Sequence, residues 1–390
     1  MTERLYYQDS RLFEFDAVAI EHVGDAHHVV LDRTAFYPTS GGQPHDTGRL
    51  GPARVTDVVA EADRIIHVVD VGIPLGPVHG VVDESRRRDH MQQHTAQHLL
   101  SAIAADRLAW EMVSVHFGPD HSAIEFSATS AADGQLADLE QWANAIVAEA
   151  RPVTVSFEDA GAAARVGLRK PSGRTGEIRV ITIADLDRSA CGGTHVSRTS
   201  EIGPVLLVGV ERLRGHVRLS FLAGTRVLVH ARATDATLAR LARDMNCAID
   251  ELEVLVPARQ QEVKALRDGA SKLEQEVAAS RLRALVDASE PGPDGVRRIQ
   301  RRVTDESAAM LRAMAQAVGP LDRVLFVAIS PAPPTIYFAA SIGSGVDAGA
   351  ALKQALAAAG GRGGGSARAA QGTAATVTDL EAVAASVLQP

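Results

Sequence analysis

Only two cysteines occur in the chain, Cys191 and Cys247, so no disulfide framework holds it together, and each thiol is either buried filler or chemistry. Long apolar runs are also missing. None approaches the ~20 residues that span a bilayer, and the longest tight one, Pro204-Val-Leu-Leu-Val-Gly-Val210, is strand-sized. The start, Met1-Thr-Glu-Arg-Leu-Tyr-Tyr-Gln-Asp9, lacks the apolar core of a signal peptide, which makes the cytoplasm the expected location and a membrane partner unexpected. No internal repeat is present. Nor is there an excess of positive charge. Forty Lys and Arg against 48 Asp and Glu give a net charge of −8, which argues against indiscriminate polyanion binding but leaves room for local basic patches. Arginines do cluster, at 86–88, at Arg165, Arg169, Lys170, Arg174 and Arg179, and at Arg297, Arg298, Arg301 and Arg302. Solvated charge on helix ends accounts for any one of these equally well.

What is there is globular: 46% apolar and 23% charged residues over 390 positions, enough for two or three domains at about 150 residues each. Residues 1–85 alternate in short runs, such as Phe15-Asp-Ala-Val-Ala-Ile20 and Arg64-Ile-Ile-His-Val-Val69, broken by Gly and Pro every ~8 to 12 residues, the rhythm of a small β-barrel. A turn-rich loop, Phe36-Tyr-Pro-Thr-Ser-Gly-Gly-Gln-Pro-His-Asp-Thr-Gly48, interrupts them. Residues 86–228 read as α+β, opening with a helix capped by Asp83 or Ser85. Residues 229–290 carry an a/d seam, Leu238, Leu241, Met245, Ala248, Leu252 and Leu255, then Val263, Leu266, Ala270, Leu273 and Val277 beyond Pro257. This predicts a helical hairpin broken at Pro257, whose seam can close within one chain or pair two chains as a homodimer. Residues 291–390 read as α/β and include Gly360-Gly-Arg-Gly-Gly-Gly365. The fold class expected is α+β.

The sharpest constellation is His94-Thr-Ala-Gln-His98 with Cys191-Gly-Gly-Thr-His195. Histidines four apart on a helix lie one above the other, as a tetrahedral zinc requires of two imidazoles. Cys191 and His195 can supply two more ligands, with Gly192 and Gly193 letting the backbone curl between them. Three imidazoles and a thiolate suit Zn2+. Spacing alone leaves the register open, because His90 and His94 are also four apart. Metalloprotease chemistry fits poorly: Thr95 stands where that mechanism needs a glutamate base.

These motifs, with Phe36-Tyr-Pro-Thr-Ser-Gly-Gly-Gln43, Leu5-Tyr-Tyr-Gln-Asp-Ser10 and Glu201-Ile-Gly-Pro204, resemble the editing domain of alanyl-tRNA synthetase and, most closely, the free-standing AlaX alanyl-tRNA editing proteins in their long form. The Gly-rich run with Ala370-Gln-Gly372 resembles the synthetase's C-terminal, DHH-associated-like domain. The resemblance implies zinc at His94, His98, Cys191 and His195, leaves His90 a neighbour, and implies an aminoacyl-tRNA deacylase, a carboxylic ester hydrolase that removes serine or glycine from mischarged tRNA(Ala). Nothing resembles the aminoacylation domain, so ATP-dependent charging is not expected.

The family's strand after the zinc helix borders the amino-acid pocket. Alternation puts Ser114 and His116 of Val113-Ser-Val-His-Phe117 on one face, Ser114 as a substrate contact and His116 as the catalytic proton carrier, although an ordinary polar strand face reads the same. Val115 stands where the synthetase form has a Gln. Thr95 and Thr194 join Ser114 as hydroxyls able to contact a seryl group, and Gln43 can approach the substrate or simply follow a Gly-Gly turn. Four protein ligands leave two roles for zinc: activating water once one ligand loosens, or fixing the site around the substrate. A synthetase pocket built for alanine rejects glycine and serine imperfectly. An editing pocket that pairs with the serine hydroxyl leaves its groups unpaired on alanine, at about 1–3 kcal/mol each. Two other readings share these residues: editing of another tRNA, since threonyl-tRNA synthetase uses a similar HxxxH and CxxxH domain, and a non-catalytic tRNA-binding protein stapled by zinc. For tRNA itself, the third arginine cluster, together with Arg362, Arg368 and the bare amides of the Gly-rich run, offers phosphate contacts; a flexible linker is the alternative for that run.

Overall fold

The structure, a computed structural model, describes residues 1–171, 173, 175–303 and 307–389; Arg174 lies outside them. The chain divides into two compact units, Met1–Asp244 and Met245–Pro390.

The first unit begins with β1 (Glu3–Arg4), β2 (Glu14–His22), β3 (His28–Leu31), β4 (Arg33–Thr34), β5 (Gly48–Leu50), β6 (Ala53–Glu61), β7 (Arg64–Val69) and β8 (Gly76–Val82). Six of these pair antiparallel in a closed ring, β2-β3-β7-β6-β5-β8, with β8 returning to β2. The period of two explains the ring. Phe15, Ala17 and Ala19 of β2 are buried while their neighbours face water. Together with Leu31, Phe36, Leu50, Val58 and Ile65 they form one apolar core.

There follow α1 (Glu84–Leu108), β9 (Met112–Phe117), β10 (Ser122–Phe126), α2 (Asp133–Ala148), β11 (Val153–Asp159), α3 (Ala160–Val166), β12 (Glu177–Ile183), β13 (Asp187–Ala190), β14 (Val205–Leu213), β15 (His216–Ala223) and α4 (Thr225–Asp244). Two antiparallel sheets, β14-β15-β10-β9 and β11-β12-β13, share a core with α1 and α2 built on Leu99, Leu100, Ile103, Phe126, Leu139 and Phe221. Asp83 caps α1 by accepting from the Arg86 N–H at 3.1 Å. From Gln93 to Ala104 every residue of α1 is buried, histidines, glutamines and threonine included. A helix buried on all sides yet polar on one stripe must satisfy that stripe locally, and the stripe carries the site described below.

One fully buried ion pair fastens α1 to the loop that precedes β5. The Arg87 guanidinium donates to both oxygens of Asp46 at 2.5–3.1 Å, to the Ser10 carbonyl at 2.8 Å and to the Ala35 carbonyl. Asp46 also accepts from the Tyr37 N–H at 2.7 Å. Neither side chain of the pair is exposed.

The second unit comprises α5 (Leu252–Asp287), β16 (Arg297–Arg302), α6 (Ala308–Ala317), β17 (Val324–Pro331), β18 (Pro334–Ala340), α7 (Ala348–Ala358), β19 (Arg362–Gly365), β20 (Ala369–Thr373) and α8 (Val377–Val387). Its sheet runs β16-β17-β18-β20-β19, parallel only at the first pair. Leu325, Val327 and Ile329 pack toward α7 and α8. Val324, Phe326 and Ala328 pack toward α6 and the end of α5. Burial on both faces explains why β17 reads as a continuous apolar run.

Four readings change. The helical break falls between Asp244 and Ile249, where Asn246 adopts a left-handed φ of 53°, and not at Pro257. Pro257 sits in the second turn of α5, where its missing N–H removes a single bond to the Glu253 carbonyl without ending the helix. The seam residues Leu238, Leu241, Val263, Leu266 and Leu273 are exposed, whereas Ala278 and Leu282 enter the core of the second unit. The Gly-rich run is not the flexible linker offered as its alternative reading. It forms β19, and a Cβ on Gly363 would come within 2.5 Å of Leu356 on α7. Finally, Arg298 pairs with Asp294 and Arg302 with Glu381, which reduces the free charge on β16.

Replacing Asp46 with Ala strands the buried Arg87 charge. We expect a loss of about 3–5 kcal/mol in the stability of the first unit, read as a lower urea midpoint. An unchanged midpoint would show that the pair is dispensable.

Candidate metal centre

The four residues that the resemblance selects from the two motifs come together. One donor atom from each of His94, His98, Cys191 and His195 lies within 4.8 Å of every other, and no other such cluster occurs among the described residues. Cys191 Sγ is 3.5 Å from His94 Nε2 and 3.3 Å from His195 Nε2. Bonds of ~2.0–2.3 Å to a tetrahedral zinc place its ligands roughly 3.3–3.7 Å apart, so the two separations from Cys191 Sγ match the ion. The three histidines are 4–8% exposed.

The outer hydrogen bonds decide which nitrogen each ring presents. His94 Nδ1 lies 2.9 Å from Gln43 Oε1. That oxygen is identified by the Thr194 N–H, which donates to it at 3.1 Å, while Gln43 Nε2 donates to Thr194 Oγ at 2.9 Å. His94 Nδ1 must therefore carry the proton. His195 Nδ1 lies 3.1 Å from Thr95 Oγ, whose own proton goes to the Met91 carbonyl at 2.8 Å, so Thr95 can only accept. His98 Nδ1 lies 2.8 Å from Asp187 Oδ2. Each ring is thus held as an Nδ1–H donor and turns its Nε2 to the shared centre, where a metal would take the place of any second ring proton.

Electrostatics agree. Burial opposes ionisation of Cys191, but the charges and hydrogen bonds of His94 and His195 outweigh it and hold the thiol well below its usual range. Burial likewise disfavours protonated His98, yet Asp187 and Cys191 raise it to about 10. A bound cation would replace that second ring proton as the partner of the thiolate and of Asp187.

The Cys191 loop sits unusually close to α1. A Cβ on Gly193 would lie 2.1 Å from His94 Cε1, so only glycine fits there. Arg179 steadies the loop from behind, donating to the carbonyls of Cys191 and Gly193, both at 2.8 Å, and to that of Tyr7 at 2.9 Å.

The other sequence candidates are placed elsewhere. Gln43, Thr95 and Thr194 are buried behind the ligands as outer partners. On β9, Phe117 is buried with its ring 5.0 Å from that of His94, so alternation turns Ser114 and His116 to the opposite, exposed face, where Ser114 donates to Glu125 Oε2 at 2.7 Å. His90 is buried and held near pKa 4 by desolvation, outside the cluster. Sequence reasoning missed Asp187, whose only signal is its place four residues before Cys191. It also missed Gln97, one residue before a ligand. With His98, Ser101, Met112 and Cys191, Gln97 lines a cavity of about 290 Å3 that opens beside the cluster.

Residues 178–219, which span β12, β13 and the Cys191 loop, match the family described as "Threonyl and Alanyl tRNA synthetase second additional domain". The chain is 31% identical over 309 residues to the alanyl-tRNA editing protein Aarsd1 of Mus musculus, covering 77% of this chain and 74% of that protein. The corresponding protein of Rattus norvegicus is 30% identical over 308 residues, 77% of this chain and 73% of its own length. The alanine–tRNA ligase of Halorubrum lacusprofundi is 33% identical over 366 residues, covering 90% of this chain but only 39% of the ligase. The His/Cys cluster, the ring and the flanking sheets thus lie in a chain that aligns over most of its length with proteins named as alanyl-tRNA editing proteins. The chain belongs to the alanyl-tRNA editing protein family.

Because Thr95 fixes the His195 tautomer without touching metal, Thr95→Val should weaken zinc binding by about 10–100-fold in a chelator competition while the fold persists. Unchanged affinity would show that the outer bond to His195 does not matter.

Proposed function

We propose that the chain is an aminoacyl-tRNA deacylase that hydrolyses the ester of tRNA(Ala) wrongly charged with serine, and also with glycine, in the cytoplasm. The observation that carries this reading is the convergence of three Nε2 atoms and one thiolate beside a cavity large enough for an aminoacyl group. His94, His98, Cys191 and His195 would hold Zn2+, which supplies Lewis acidity at the cavity wall. The chain's own contribution is placement. Gln43, Thr95 and Asp187 keep the rings turned inward, Arg179 holds the loop, and the glycine at 193 lets that loop close on α1.

The mouse and rat relatives are alanyl-tRNA editing proteins by name, which supports tRNA(Ala) over a threonyl substrate. The match to part of a ligase supports the editing step alone, because the chain spans about two fifths of that protein. Within this reading, residues 1–85 and 86–228 carry the ester chemistry, and 229–290 and 291–390 reach the body of the tRNA or pair two chains. His116 is given no proton-transfer role, since its strand face points away from the ligands. Among the described residues no helix is long and apolar enough to cross a membrane.

Purified protein should deacylate Ser-tRNA(Ala) at least ~10-fold faster than Ala-tRNA(Ala), on the strength of one unpaired polar contact. Cys191→Ala should lose zinc and activity together. Equal rates on the two esters would remove the editing function, and full turnover by zinc-free protein would remove the metal from it.

A further inference from the structure

We propose that Gln97 is the residue that tells a seryl ester from an alanyl one, with Ser101 as its support. This rests on the deacylase reading and names the contact that gives it selectivity.

The hydroxyls first suggested for that task are already committed. Thr95 Oγ donates to the Met91 carbonyl and accepts from His195; Thr194 Oγ accepts from Gln43; Ser114 is bound to Glu125 on an exposed face. The cavity beside the metal cluster has a different polar lining. Gln97 and Ser101 stand one turn apart on α1, only 4% and 6% exposed, and reach the same wall as the ligands His98 and Cys191. Gln97 Nε2 donates to Ser101 Oγ at 3.0 Å and to Met112 Sδ at 3.0 Å, and the Ser101 hydroxyl also turns to that sulfur at 3.3 Å. A thioether is a weak acceptor, so both groups are held in place without being well satisfied. Gln97 Oε1 has no hydrogen-bond partner among the described residues, yet is not among the side-chain atoms sealed off from solvent without one. It is an acceptor left open to the cavity.

An esterified amino acid placed in this cavity with its carbonyl toward the metal cluster meets this acceptor with its side chain, because Gln97 and the cluster residues His98 and Cys191 line the same cavity. A seryl hydroxyl donates to Gln97 Oε1 and can accept from Ser101. A methyl group in the same place leaves the amide oxygen dry and unpaired, and a glycyl group leaves room for water.

The test is single-turnover deacylation of Ser-, Gly- and Ala-tRNA(Ala) by wild type, Gln97→Met and Ser101→Ala, with zinc content measured on each. Gln97→Met keeps the volume and removes the acceptor. It should cut the seryl rate by roughly 10–100-fold, change the glycyl rate by less than about threefold and retain one zinc per chain. Ser101→Ala should lower the seryl-to-glycyl ratio by a smaller, several-fold amount, and it decides the matter if Gln97→Met loses metal. A seryl-to-glycyl ratio unchanged in both variants, or seryl and glycyl rates falling together, would overturn the assignment. Wild type inactive on every ester would instead overturn the deacylase reading, and this assignment with it.

Discussion

Three hydrogen bonds to imidazole Nδ1 atoms organise the first unit. A histidine that donates from Nδ1 has only Nε2 left for a cation. Here the acceptors come from three separate places: Gln43 in the loop before β5, Thr95 on α1 itself, and Asp187 at the start of β13. If any of them is lost, one ring is free to turn or to carry its proton on the wrong nitrogen. The metal-competent cluster is therefore a product of the whole unit's folding, not of the two short motifs that carry its four residues.

That dependence explains features that otherwise look costly. Burying Arg87 and Asp46 completely removes two charges from water, and a well-packed apolar pair would serve stability as well. What the ion pair adds is register: it ties the loop holding Gln43 to the first turn of the helix holding His94. Arg179 acts similarly on the other side, where two loop carbonyls point at one guanidinium nitrogen. Asp187 is itself held by Arg169 and Ser189, so the carboxylate facing His98 cannot swing away. Burial works against its ionisation, and His98 and Arg169 outweigh that, holding it below the usual carboxylate range.

The four clustered residues were legible in the sequence because the HxxxH and CxxxH motifs are local, although spacing alone left His90 in competition and the family resemblance chose among the histidines. The outer partners were not. Gln43 was noticed for its Gly-Gly neighbours and Thr95 and Thr194 for their hydroxyls, but a polar side chain does not announce which way it faces in a loop, or on a helix buried on all sides. Ser114 and His116 show the same limit. Alternation put them on one face correctly, yet which face meets the metal depends on Phe117 packing against His94, a tertiary contact. Asp187 lay outside every strand read from the sequence, since β13 is four residues long and exists by pairing with β12. In the second unit the apolar runs gave the strands, whereas the helix break followed Asn246 and not the more conspicuous Pro257. Within β19, Gly363, which read as bare backbone, is packed closely against Leu356.

Long-range 1H–15N correlation NMR of the zinc-loaded, 15N-labelled protein reads the ring tautomers directly. The account predicts that His94, His98 and His195 all carry the proton on Nδ1, with Nε2 shifted by metal coordination, and that His90 shows no metal shift. Finding any of the three protonated at Nε2 and bound through Nδ1, or His90 bound in place of one of them, would contradict it.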